Sequence, residues 1–264
     1  MENTEGQHSS GLFRRARANR LTASNFGKIF KLDAATHPHN TVRRLRNPTD
    51  LSNNAAVKYG LHGEDLVKQK FKTQTGLAVR KIGLCVNKNW PYLGASPDGA
   101  VGANAIIEIK CLYSAKERKI FDFVAERQGV DERGEQIMEN GKKKKKDKFS
   151  SVCLEIFEGK LRLKRKHDYF FQIQGQLAIS EKEKCYFVAS TDVDLFVEEI
   201  LPDKELWANM ERKLSEFYLD YLLPEIVDPR IIRGLTVRVP PQYAEAAAKR
   251  EQQKTEKRKP RERE

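Results

Sequence analysis

The sequence predicts a mixed α/β fold in which helices flank a central mixed β-sheet. Segments with helical and strand-like periodicity alternate, in the order helix, three strands, charged insertion, helix, two strands, helix. With 264 residues, of which 39% are hydrophobic, the chain can bury a sizeable core. We therefore expect one α/β domain over residues 13–224, between a disordered N-terminal segment, 1–12, and a charged, disordered tail, 225–264.

The first part of this domain is predicted to be helical. The Thr-Ala-Ser segment at 22–24 offers hydroxyl groups that can cap a helix beginning near Asn25. Residues 37–51 contain Pro and Asn and are predicted to form a loop. A second helix is expected after the Ser-Asn-Asn segment at 52–54, with apolar residues at helical spacing through Phe71.

Strand-like segments occupy the middle of the chain. The first three are LAVRKIGLCVN (77–87), YLGASPDGAV (92–101) and AIIEIKC (105–111), and the short turns between them favour antiparallel pairing. A charged stretch over 113–150 is expected to be an insertion. After it we predict a hairpin turning at Glu158-Gly159, a helix over 167–180, strands over 184–191 and 194–201, and an amphipathic helix over 203–222.

The net charge and the cysteine content indicate the kind of binding partner and the cellular compartment of the protein. The formal net charge is +12 and the isoelectric point is about 9.5, which favours a polyanionic partner, either nucleic acid or an anionic membrane surface. No apolar run approaches the ~20 residues that span a bilayer, and we expect nucleic acid, not a membrane, to be the partner. The four cysteines are scattered singly among apolar residues, as in reduced intracellular proteins. The lysine run 142–146 and the basic run 257–263 would suit a nuclear location in a eukaryote.

One stretch, LGASPDGAVGANAIIEIKC (93–111), carries candidate chemistry. In a strand with period two, Glu108 and Lys110 share one face while Ile107 and Ile109 share the other. The Pro-Asp-Gly turn lies in the neighbouring segment and can bring Asp98 beside Glu108. Two converging carboxylates repel each other unless a cation lies between them, and Mg²⁺ prefers such oxygen ligands. A lysine on the same face can stabilise charge that develops at phosphorus. On the residues alone, a solvent-facing strand and an ordinary turn remain the alternative.

Four segments together resemble a known family. GASPDGAV followed by IEIKC is similar to the core motif of PD-(D/E)XK nucleases, and more narrowly to the YqaJ viral recombinase family, which is phage lambda exonuclease-like. RANRLTAS (17–24), GLHGE (60–64) and KRKHDYFFQIQGQL (164–177) resemble further family motifs in the same order. The resemblance covers roughly residues 14–222. It implies a restriction-endonuclease-like fold and a Mg²⁺-dependent exonuclease, with Mn²⁺ as a substitute, that processes duplex DNA ends from 5′ to 3′ for recombination or repair.

The resemblance also implies roles for individual residues. Asp98, Glu108 and the carbonyl group of Ile109 would bind the metal, Lys110 would be the catalytic lysine, and Glu64 would hold a second metal or a water. Gln172 would orient the nucleophile or the scissile end. Arg17, Ser24 and Ser96 match positions that hold the 5′-phosphate of a DNA end. A ring-shaped homo-oligomer and a single-strand annealing protein as partner are further implications.

Other interpretations stay open at this stage. Glu64 can be a solvated helix residue, Gln172 and Gln174 buried amides, Ser24 a helix cap and Arg17 part of a basic arm. An endonuclease of the same superfamily, a Cas4-like exonuclease and a non-catalytic DNA-end-binding module are the alternative functions. The scattered cysteines disfavour the Cas4-like enzyme, which needs a cysteine cluster. The presence of Asp98, Glu108 and Lys110 disfavours a vestigial site. An RNA-binding protein is disfavoured because basic and aromatic residues are not interleaved.

Overall fold

The structure, a computed structural model, describes residues 4–6, 11–131, 133–139, 142–143 and 152–258. Helices and strands follow one another as α1 (Gly11–Ala18), β1 (Leu21–Thr22), α2 (Phe26–Phe30), α3 (His39–Arg46), α4 (Ala55–Thr75), β2 (Val79–Arg80), β3 (Leu93–Gly94), β4 (Gly99–Val101), β5 (Ala105–Cys111), α5 (Ile120–Gln128), β6 (Met138–Glu139), β7 (Lys142–Lys143), β8 (Leu154–Phe157), β9 (Lys160–Leu163), α6 (Asp168–Ser180), β10 (Lys184–Ser190), β11 (Leu195–Ile200), α7 (Lys204–Phe217), α8 (Leu223–Val227) and α9 (Pro241–Arg258). Two compact units result, Met1–Gly27 with Asp50–Trp207 and Lys28–Thr49 with Ala208–Glu264.

The first unit contains a mixed five-stranded sheet in the order β11-β10-β5-β4-β2. β5 and β10 pair in parallel, and the other neighbouring strands pair antiparallel. β5 is central and almost wholly buried because helices cover both of its faces. Ile106 packs with residues of α5 and α6 on one face, and Ile107 and Ile109 pack with residues of α4 on the other. The predicted mixed sheet with flanking helices is therefore confirmed.

Close packing fixes α6 against the short α2 segment. A Cβ atom added to Gly175 of α6 would lie 2.3 Å from a ring carbon of Phe26, whose side chain is fully buried. A real Cβ atom cannot approach so closely, so glycine is required at this crossing. The contact fixes the position of α6 relative to Phe26.

Gly175→Ala is accordingly expected to destabilise the protein by about 1–3 kcal/mol through overpacking. Gly60→Ala is the matched control, because a Cβ atom at Gly60, also within a helix, would meet nothing within 4 Å. The control should stabilise α4 by about 0.5–1 kcal/mol. Urea denaturation of both variants measures the difference, and equal effects of the two substitutions would contradict this packing account.

Several local predictions are wrong. The predicted loop over 37–51 contains α3, which begins directly after Pro38. The structure also places α8 across the predicted boundary at 224/225 and α9 within the tail that was expected to be disordered. Proline breaks a helix interior but suits its first turn, and it stands at the start of all three helices. The expectation of disorder over 1–12 also fails for Thr4, which is buried and accepts a hydrogen bond from the Leu84 N–H at 2.9 Å.

Strand pairing also differs from the prediction. β2, β4 and β5 pair antiparallel as expected, whereas β3 pairs in parallel with β1, so the segment 92–101 contributes to two different sheets. The hairpin at Glu158-Gly159 is confirmed, with both turn residues at positive φ. Within the predicted insertion the structure places α5, but most of the lysine run lies outside the described residues. No described helix has the length and hydropathy of a membrane-spanning segment.

Candidate active site

The C-terminal half of β5 carries the central carboxylate. Glu108 lies on the strand face that α6 covers, and its side chain is almost completely buried. Among the described residues, three donors reach it. Gln172 Nε2 donates to Oε1 and Gln176 Nε2 donates to Oε2, each at 2.7 Å, and Lys110 Nζ also contacts Oε1. A buried carboxylate needs such donors, and together they hold the side chain of Glu108 in a fixed orientation.

Asp98 meets β5 directly before the first residue of β4. Its backbone N–H donates to the Ile107 carbonyl at 3.0 Å, and its Oδ2 atom accepts a hydrogen bond from the Ile109 N–H at 2.6 Å. Burial, and then the negative charge of Glu108, raise the pKa of Asp98 to about 8, while Lys110 and the Ile109 N–H partly oppose that rise. The two carboxylates therefore converge closely enough to repel each other.

Lys110 extends from the same strand face as Glu108. Its ammonium group lies 4.6 Å from the ring centre of Tyr169 on α6. Burial lowers the pKa of Lys110, but the charges of Glu108 and Asp98 raise it more, so the net shift is upward. Lys110 is thus a positive charge held beside two carboxylates.

These residues form a donor set that suits a hard divalent cation. The N–H and C=O groups of a strand residue point to the same edge. Because the Ile109 N–H points to Asp98, its carbonyl group points there too. In the described part of the chain no three His, Cys, Asp or Glu side chains form a ready-made metal cluster. Mg²⁺ needs only one or two carboxylates when water and substrate phosphate complete its shell, so Asp98, Glu108 and the Ile109 carbonyl fit it.

Glu64 lies on α4 close to the end of β5. A Cβ atom on its neighbour Gly63 would be 3.1 Å from Cys111 Sγ, which shows how near the helix passes. The charge of Glu64 contributes to the raised pKa of Asp98. Its carboxylate is paired with Lys68 at 2.5 Å and is one-third exposed. The structure therefore places Glu64 at the border of the site.

Two of the three predicted phosphate-binding residues, Arg17 and Ser96, are in contact, and the third, Ser24, follows the strand that pairs with the one before Ser96. The parallel register of β1 and β3 pairs Thr22 with Gly94, so Ser24 and Ser96 each follow their strand by two residues at the same end. Arg17 Nη1 donates to Ser96 Oγ at a long 3.4 Å, and burial lowers the pKa of Arg17. Ser24 is exposed, with its hydroxyl group 3.3 Å from that of Thr22. Cation and hydroxyl groups at one strand end can bind an anion.

Two residues outside the predicted set also belong to this arrangement. Gln176 donates to Glu108, and Tyr169 lies against Lys110. Both share a helix face with Gln172, at i+4 and i−3, so the sequence contained the signal. Gln174 instead points to the segment after β11, where it accepts from the Asp203 N–H at 2.7 Å and donates to the Leu201 carbonyl at 3.0 Å.

Comparison with known proteins places these observations in a family. Residues 12–183 match the model of the YqaJ-like viral recombinase domain. The structure is similar to an alkaline exonuclease, LHK-Exo from Laribacter hongkongensis, with a TM-score of 0.55, 22% identity and coverage of 94% of this chain and 98% of that chain. The LHK-Exo complex with dAMP gives a TM-score of 0.56, with the same identity and coverage.

A KSHV SOX–RNA complex is also similar, with a TM-score of 0.51, 14% identity and coverage of 82% of this chain and 71% of that chain. No curated protein sequence matches the chain. At these identities the structural likeness establishes the fold, which is the PD-(D/E)XK fold of lambda-exonuclease-like nucleases.

Proposed function

The chain belongs to the YqaJ-like viral recombinase family, and from this premise we propose that it is a metal-dependent deoxyribonuclease that degrades one strand of duplex DNA from its 5′ end. The observation that carries the proposal is the convergence of Asp98, Glu108 and Lys110 at one end of β5. The LHK-Exo complex with dAMP supports a nucleotide substrate for this fold. A basic chain with net charge +12 would be attracted to DNA.

The residues of the site have distinct tasks in this proposal. Asp98, Glu108 and the Ile109 carbonyl would hold Mg²⁺ or Mn²⁺, and Glu64 would hold a second ion or a water. When bound, such an ion activates water for attack and neutralises charge on the phosphodiester. Lys110 would place its ammonium group against the phosphate oxygens, where negative charge grows during hydrolysis. Gln172 holds one oxygen of Glu108 and thereby keeps the carboxylate turned toward the scissile bond.

The 5′-to-3′ direction of cleavage would be set by the predicted anion-binding residues. Arg17, which contacts Ser96, together with Ser24 would bind the terminal 5′-phosphate, so that the first phosphodiester would reach Lys110. The resulting 3′ single strands would serve recombination or repair. A homo-oligomer, a single-strand annealing partner and an intracellular location follow from the family resemblance and the composition, and we propose them on that ground.

Loss of Arg17 should reduce the preference for phosphorylated ends. We expect Arg17→Ala to lower the cleavage-rate ratio of 5′-phosphorylated to 5′-hydroxyl duplex by about ten- to a hundredfold, because a hydrogen bond to a charged group contributes about 1.5–3 kcal/mol. Arg15→Ala is the control, since Arg15 is exposed on the same helix. If this cleavage-rate ratio falls equally in Arg17→Ala and Arg15→Ala, the effect of Arg17 is a general electrostatic attraction of DNA and not recognition of the 5′-phosphate.

Cation affinity should depend on pH through Asp98. The pKa of Asp98 is raised to about 8, so below that pH the metal-free protein holds a proton that a cation must displace. Affinity for Mg²⁺ should therefore rise about tenfold per pH unit up to pH 8 and level off above it. Calorimetry in two buffers of different ionisation enthalpy measures both the affinity and the released proton. Binding that is independent of pH would exclude Asp98 as the ligand that titrates.

A further inference from the structure

Gln176 connects the two halves of the site. Its side chain is fully buried on α6, one turn beyond Gln172. The Nε2 atom donates to Glu108 Oε2 at 2.7 Å and lies 3.5 Å from the backbone carbonyl oxygen of Ser96. Ser96 is also the residue whose hydroxyl group accepts from Arg17. One amide group therefore bridges the buried carboxylate and the strand end that carries the anion-binding residues.

The two ends of the Gln176 amide differ in their hydrogen bonding. Its Oε1 atom is buried and has no hydrogen-bond partner among the described residues. Leaving a buried amide oxygen unpaired costs free energy, and in the described residues this cost is offset only by the hydrogen bonding of the other end of the amide. The Nε2 group of Gln176, which contacts Glu108 and Ser96, is therefore the part of the side chain that accounts for a glutamine at this position.

The same helix offers a contrast in Gln174. It is also buried, but both ends of its amide bond to the backbone at Leu201 and Asp203. Gln174 thus ties α6 to the chain after β11 and contacts neither carboxylate. Gln172 holds the other oxygen of Glu108, an atom it shares with Lys110.

We propose that Gln176 is a positioning residue that couples occupation of the anion site to the orientation of Glu108. This inference rests on the proposed function. A 5′-phosphate bound by Arg17 and Ser96 fixes the strand end, and Gln176 carries that constraint to Oε2 of Glu108. Because such coupling is reciprocal, a phosphorylated DNA end and a divalent cation should each raise the affinity for the other.

The test measures Mg²⁺ affinity by calorimetry with and without a short duplex that bears a 5′-phosphate and an uncleavable terminal linkage. For the unaltered protein the phosphorylated duplex should tighten Mg²⁺ binding about five- to tenfold more than its 5′-hydroxyl counterpart, a coupling typical in size. Gln176→Met should reduce this difference to less than about twofold and weaken Mg²⁺ binding itself. Gln176→Asn, which keeps the amide but shortens the side chain by one carbon, should do the same.

Gln174→Met is the matched control. It should lower the melting temperature while leaving the coupling intact, because Gln174 bonds only to backbone. The inference is overturned if the unaltered protein shows no coupling, if Gln176→Met retains it, or if Gln174→Met loses it equally. These binding measurements need no cleavage. Coupled binding without any cleavage would defeat the nuclease proposal alone, and cleavage with unchanged coupling in Gln176→Met would defeat this inference alone.

Discussion

Asp98→Asn is expected to abolish DNA cleavage and at the same time to stabilise the metal-free protein at alkaline pH. The activity should fall by about a thousandfold or more, since the lost cation supplies several kcal/mol of transition-state stabilisation. Asparagine can still accept the hydrogen bond that the Ile109 N–H gives to Asp98. The local structure should therefore survive the substitution.

The stability gain follows from the sign of the pKa shift. The folded state raises the pKa of Asp98 from 3.8 to about 8, so its proton is held more tightly in the folded than in the unfolded chain. The stabilising effect of that proton is complete below about pH 4 and is lost as the pH rises through 8. At about pH 9 Asn should be more stable than Asp by on the order of 1–3 kcal/mol.

Denaturation in EDTA at acidic and alkaline pH, together with a cleavage assay in Mg²⁺, measures both effects. Asp65→Asn is the control, because Asp65 is exposed on α4 and should change neither quantity. A variant that is inactive but destabilised at alkaline pH would show that the Asp98 carboxylate is favourable in the metal-free fold, contrary to the repulsion inferred from the geometry.

Lys110→Met should lower the cleavage rate by about a hundred- to ten-thousandfold, the range for losing an electrostatic or proton-transfer group. Binding of DNA ends should change only a few-fold, because the anion-binding residues are untouched. Single-turnover kinetics separate the two quantities. Lys72→Met, at an exposed position on α4, should behave like the unaltered protein. Retention of more than about a tenth of the rate would exclude Lys110 from the chemistry.

The central strand was predictable because its sequence pattern and its environment agree. A short apolar run containing one acid and one lysine forms β5 over the predicted residues, and the period of two correctly separates Glu108 from Ile107 and Ile109. The cap at Asn54 begins α4 as expected, and the left-handed Gly76 ends it. These features depend on neighbouring residues, which a sequence shows directly.

Features that depend on contacts between residues far apart in the sequence were not predicted. The parallel pairing of β1 with β3, the strands that precede Ser24 and Ser96, joins segments some 70 residues apart and leaves no local signature. Apolar residues at helical spacing on α4 also differ in burial: Leu61 is 55% exposed, whereas Val67 and Phe71 pack against the sheet. Gln176 was visible on the same face as Gln172, but only the packing of α6 on β5 reveals its contact with Glu108.

The most direct test is cleavage of linear duplex DNA labelled at one 5′ or 3′ end, with Mg²⁺, with and without a 5′-phosphate, beside Asp98→Asn. We expect progressive removal of nucleotides from phosphorylated 5′ ends, absent in the variant and in EDTA. Cuts in closed circular DNA would indicate an endonuclease that uses the same residues. Tight, salt-sensitive binding of DNA ends without cleavage in Mg²⁺ or Mn²⁺ would contradict the enzymatic function and leave a DNA-end-binding protein.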